Sequence, residues 1–124
     1  MIDKPKGDLT IQVLAMPKDA NPGGDIFGGW LLSQMDIAGG LFCQKIAKGR
    51  IVTVAIDSIV FKKPVFIGDT LCCYVALKKQ GRTSMTVHID AFVNRRFEEE
   101  ELIKVTEGVF TYVKLDEHGK PSTV

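Results

Sequence analysis

The sequence predicts an α+β domain in which one long central helix is wrapped by a curved, mostly antiparallel five-stranded sheet. Three observations predict it. Positions 30–47 are apolar almost all the way round, the mark of a helix buried on most of its surface. After Arg50 the hydrophobic period changes from helical to alternating and stays so for the rest of the chain. The β-type runs are long and the turn signals between them short, which favours antiparallel neighbours.

The elements follow in order. Residues 9–16 (Leu-Thr-Ile-Gln-Val-Leu-Ala-Met) form a first strand between Gly7 and Pro17. Residues 17–24 carry turn chemistry at nearly every position and make a loop. The helix then runs to about Lys48, where Gly49 stops it, and Asp25 stands ahead of it as a cap or as an assisting acid. Gly28 and Gly29 let a backbone or ligand approach its first turn. Ser33, Asp36, Gly40 and Gln44 share one helical stripe, so the single acid has a direction. Strands are expected at about 50–61, 70–79, 82–95 and 102–115. Lys63-Pro64 with Gly68-Asp69, then Gln80-Gly81, then the acidic run Glu98 to Glu101 punctuate them. Met85, Val87, Ile89, Ala91 and Val93 alternate with polar residues, so one face of that strand is buried. Residues 116–124 read as a turn and a frayed end.

The length of 124 residues fits one domain, 1–124, with 45% hydrophobic and 25% charged residues, the balance of a soluble globular protein. A formal charge of +1 provides no global field for nucleic acid or an anionic membrane, so neither is an expected partner. Cys43, Cys72 and Cys73 lack metal or disulfide spacing and are read as reduced, small core residues, with no metal site expected. Residues 1–8 lack the apolar core of a signal peptide and no run reaches membrane-span length, so a cytoplasmic location is expected.

Several motifs occur in order: Leu-Ala-Met-Pro with Asp19 and Asn21, Gly24-Asp-Ile-Phe-Gly-Gly-Trp30, Ser33-Gln-Met-Asp36, Gly49-Arg-Ile-Val-Thr-Val-Ala-Ile56, Lys63-Pro64 with Gly68-Asp69, and Gly81-Arg-Thr-Ser84. Over nearly the whole chain this set resembles the hotdog-fold acyl-CoA thioesterases, and among them the small bacterial acyl-CoA hydrolases of the YciA-like type. Many relatives carry a histidine before the two glycines; Phe27 stands there, so no mechanism can use that histidine here.

The resemblance implies hydrolysis of acyl-CoA to free CoA and a carboxylic acid, with CoA as substrate moiety and product and no cofactor required. It implies Asp36 as the helix acid of catalysis and the Gly28-Gly29 turn as the group polarising the carbonyl. The chemistry agrees: an acid in apolar surroundings serves as general base or nucleophile, and N–H groups at a helix N-terminus stabilise an oxyanion. Thr53, on the strand passing the helix, is read as a satisfied strand threonine or as an orienter of Asp36. The Asp36 and Gly28 positions are eight residues apart, ~12 Å along a helix axis, too far to serve one reacting centre. Two antiparallel helices across a two-fold axis would join them, with Gly39 and Gly40 allowing close packing. The homodimer is therefore the expected active unit, and the resemblance implies a homohexamer built as a trimer of dimers.

The phosphates of CoA call for a local cationic patch. Lys63, Gly81, Arg82, Thr83 and Ser84 match the family's CoA contacts, whereas Arg95 and Arg96, beside the acidic run, read as solvated turn residues. His88 and His118 read as surface or packing residues, and Trp30, Met35 and Phe42 as core contacts ahead of acyl-tunnel walls. Two rival functions remain, a non-catalytic acyl-CoA sensor and a hydroxyacyl-thioester dehydratase. The first lacks residues for an output module and the second lacks a histidine near the helix.

Overall fold

A computed structural model describes residues 4–95 and 102–124. It contains β1 (Asp8–Leu14), α1 (Gly28–Ala47), β2 (Ile51–Phe61), β3 (Thr70–Gln80), β4 (Ser84–Asn94) and β5 (Leu102–Lys114). Each boundary falls within two residues of its expected place, and a short 3-10 turn, Pro17–Asp19, lies inside the expected loop. The sheet order is β1-β3-β4-β5-β2 with every neighbouring pair antiparallel. The acidic run and Arg96 lie outside the described residues. Among the described residues, no helix is long and apolar enough to cross a membrane.

The period of two on β4 does what it predicts. Met85, Val87, Ile89, Ala91 and Val93 are fully buried in the core that α1 caps with Leu31, Met35, Ala38, Cys43 and Ala47. The helix itself differs from expectation. One face is buried, but Ile37 is 51% and Leu41 44% exposed, because one sheet can cover only one side of a helix. The stripe of apolar residues on its far side has no partner within the chain. β2, at the sheet edge, adds Val54, Ile56, Val60 and Phe61 to the exposed apolar surface.

Three local expectations are corrected. The helix ends at Lys48, which adopts the left-handed conformation (φ 53°) and donates its N–H to Gln44 O, one residue before Gly49. Gly39 faces the sheet: a Cβ there would run into the Tyr112 hydroxyl and come within 2.8 Å of Ile89 Cδ1. It makes room for the chain's own tyrosine, not for a neighbouring helix. The C-terminal tail is pinned at both ends. Asp116 Oδ1 accepts from the His118 and Lys120 amides, and the Val124 amide donates to Arg82 O at 2.9 Å.

Candidate active site

Asp36 is half-buried on α1, and its carboxylate meets the sheet. Thr53 Oγ1 donates to Asp36 Oδ1 at 2.7 Å. The Tyr112 hydroxyl lies 2.9 Å from the same Oδ1 and 2.9 Å from the Asp36 carbonyl oxygen. The register explains the convergence, since Thr53 of β2 is paired with Tyr112 of β5 beneath the helix. The Thr53 hydroxyl is thus satisfied by Asp36, a contact that fits both of its readings, while Ser33 on the same stripe turns away to Trp30 O. Tyr112 was not among the expected site residues. Its signal was a tyrosine at an inward position of β5 opposite a helix glycine, a place where a phenolic O–H needs a polar partner. Burial first, then the neighbouring Asp36 carboxylate, pushes the phenol above the usual tyrosine range, so it stays a donor. Burial also pushes the Cys43 thiol up to about 11, which leaves it an unreactive core group.

The entrance of α1 forms the wall of an open cleft of about 330 Å³, lined among others by Asn21, Asp25, Gly28, Phe61 and Lys63. Phe27 occupies the capping position and offers no side-chain bond. Asp25 is therefore not the cap; its backbone pairs with Phe66 and its side chain stands exposed at the cleft. The first-turn N–H groups of α1 have no intrahelical acceptor. A Cβ on Gly28 would lie 3.5 Å from the Phe61 ring, whereas one on Gly29 would meet nothing within 4 Å. The first turn is thus open on the Gly29 side.

Within one chain the expected residues fall into two groups. Gly28, Gly29, Asp25 and Lys63 gather where β2 ends. Asp36, Thr53 and the Gly81–Ser84 turn gather where β2 begins, with Ser84 paired to Val113 and Val113 to Val52. Phe61 lies nine steps along β2 from Val52, at most about 30 Å at the rise of a β-strand. Lys63 and the Gly81–Ser84 turn therefore do not meet in a single chain. In that turn the Gly81 N–H donates to Ser84 O and the Thr83 carbonyl accepts from the Lys114 N–H, leaving the Arg82 side chain exposed.

One polar cluster contradicts the sequence reading, and a second extends it. Arg95 is no solvated turn residue: it holds buried Asp69 through Nε and Nη2, each at 3.1 Å, and lies 4.9 Å over the Phe66 ring. His88 has acids at hand, with Nε2 3.6 Å from Asp90 and from Glu107. Lys104 joins the same two acids at 3.3 and 2.7 Å, and Lys62 lies 2.9 Å from Glu107. Hydrogen bonds from Lys104 and Lys62 hold the Glu107 carboxyl down at about 2. His88, Asp90 and Glu107 are close enough together to ligate a cation. The two ammonium groups already neutralise those carboxylates, so the cluster reads as a closed ion-pair network.

The Thioesterase superfamily model matches residues 23–96 of this sequence. The chain belongs to the thioesterase superfamily. Within the superfamily it is 46% identical over 123 residues to the acyl-CoA thioester hydrolase YciA of Salmonella typhimurium, covering 98% of this chain and 92% of that protein. It superposes on a hexameric thioesterase of Yersinia pestis with a TM-score of 0.91 at 47% identity, covering 98% of both chains. A hexameric hotdog-fold thioesterase of Campylobacter jejuni matches with a TM-score of 0.89 at 39% identity, covering 95% of this chain and 90% of that one. The fold expected from the sequence, a hotdog, is the fold of this superfamily member.

Proposed function

We propose that the protein is an acyl-CoA hydrolase whose active sites lie between two copies of the chain, the Asp36 of one facing the Gly28-Gly29 helix entrance of the other. One observation carries this reading: the acid and the helix entrance occupy opposite ends of β2, so neither end holds a complete set. A two-fold axis with antiparallel helices joins the complementary ends. The uncovered apolar residues Ile37, Leu41, Val54 and Ile56 support that contact, and so does the open space at Gly29. The same axis joins Lys63 of one copy to Arg82, Thr83 and Ser84 of the other, giving the phosphates of CoA cations and polar groups from both chains. Close relatives are described as hexameric, and a trimer of such dimers is the assembly this reading takes.

The first-turn N–H groups receive the thioester oxygen as it gains negative charge. Asp36 removes a proton from water as that water attacks the carbonyl carbon. The C–S bond breaks, and the proton returns to the CoA sulfur, leaving a carboxylic acid and free thiol. In the nucleophilic variant the carboxylate attacks first and water cleaves the mixed anhydride. Neither route uses a metal or cofactor.

Release of free thiol from short, medium and long straight-chain acyl-CoAs tests the reading. Turnover of at least one is expected, together with its loss in Asp36→Asn. Binding without turnover overturns the hydrolase and leaves an acyl-CoA sensor. Label found in the Asp36 carboxylate after a single turnover in ¹⁸O-labelled water identifies the nucleophilic route with water adding at the Asp36 side of the anhydride, since the general-base route places label in the product acid alone.

A further inference from the structure

We propose that Tyr112 is a positioning residue that, with Thr53, engages one carboxylate oxygen of Asp36, Oδ1, and so makes Oδ2 the oxygen that acts on water or thioester. The inference rests on the reading of Asp36 as the acting group. Two hydroxyls converge on Oδ1, at 2.7 and 2.9 Å, while no described residue donates to Oδ2. An aspartate χ2 is a broad, roughly two-fold torsion, so an unsupported carboxylate would exchange its oxygens. Two donors from different strands on the same oxygen remove that freedom.

The phenol is itself fixed. Tyr112 is 1% exposed, and its ring lies 6.5 Å from that of Phe110 with 11° between their planes. Its oxygen fills the space left by the missing side chain of Gly39. It faces two acceptors with one proton, and the charged carboxylate is the stronger acceptor. Of the titratable groups around it, Asp36 and Cys43 face the phenol, and the Cys43 thiol stays neutral to about 11. Chemically, the two bonds draw negative charge toward Oδ1 and leave the proton to be taken at Oδ2.

Tyr112→Phe keeps the ring and removes the donor. With the acyl-CoA that the wild type turns over fastest, kcat is expected to fall about tenfold with KM little changed. The acid limb of the kcat/KM profile moves to higher pH, since loss of a donor to a carboxylate favours its protonated form. A milder variant guards against a folding defect. The chain has two tyrosines, so Tyr74→Phe protein made with 3-fluorotyrosine carries the altered phenol at position 112 alone. Fluorophenol is a stronger donor, and the acid limb is expected to move to lower pH. Unchanged acid limbs in both proteins overturn the inference, and so does a Tyr112→Phe loss that appears in KM alone. If Asp36→Asn is inactive while both limbs stay put, only the role of Tyr112 fails. If Asp36→Asn remains fully active, the reading of Asp36 fails with it.

Discussion

The hydroxyl of Tyr112 reaches Oδ1 of Asp36 at 2.9 Å across 76 residues of sequence. It does so because position 39, on the same helix, carries no side chain. An alanine there would press on the phenol oxygen and on both ring and Ile89 at 2.8 Å. Gly39→Ala is therefore expected to destabilise the fold by about 1–3 kcal/mol, the usual range of overpacking, despite the better helix propensity of alanine. Urea unfolding measures it, and a neutral or stabilised variant would remove the steric account of this glycine.

Thr53 makes a single bond to the same carboxylate oxygen. Thr53→Val keeps the shape and deletes the donor, and kcat is expected to drop about tenfold, while Thr53→Ser recovers most of it. Equal rates for Val and Ser variants would assign Thr53 to packing alone.

A shared site makes complementation possible. Asp36→Ala chains lack the acid, and Gly29→Phe chains carry a ring at a position open in the isolated chain but facing the partner in the proposed dimer. Each alone is expected to be inactive. Coexpressed in equal amounts, they form mixed dimers with one intact site, returning up to about a quarter of wild-type activity. No recovery in verified mixed dimers would return both roles to a single chain.

The Glu107 carboxyl is held at about 2, below the ordinary 4.5, by bonds first to Lys104 and then to Lys62. A depressed carboxyl stabilises the fold fully above its unfolded value and loses that contribution as pH falls through the folded one. Glu107→Gln is thus expected to weaken the protein near neutrality by about 0.5–1 kcal/mol. The gap to wild type should shrink between about pH 4.5 and 2, read from melting temperatures across that window. A gap that persists unchanged at the acid end would mean the glutamate acts through packing.

Much of this was legible in the linear sequence. The period of two in Met85, Val87, Ile89, Ala91 and Val93 placed β4 and its inner face, because burial on one side of a pleated strand writes alternation directly into the chain. The lone acid on an apolar helix marked Asp36, and the eight-residue gap to Gly28 marked the division into two ends. These features depend on neighbours close in sequence.

Tertiary structure alone decided which groups surround that acid. Tyr112 meets Asp36 because β5 pairs with β2 in one register beneath α1, and Arg95 reaches Asp69 through strands paired side by side. Such contacts join residues tens of positions apart, and local periodicity does not encode which distant side chain fills a given gap. The sequence by itself determined one helix, five strands and an acid with a direction. Only packing of the helix on the sheet determined that two hydroxyls grip one oxygen of that acid, because the space for the second is made by a glycine whose reason lies across the core.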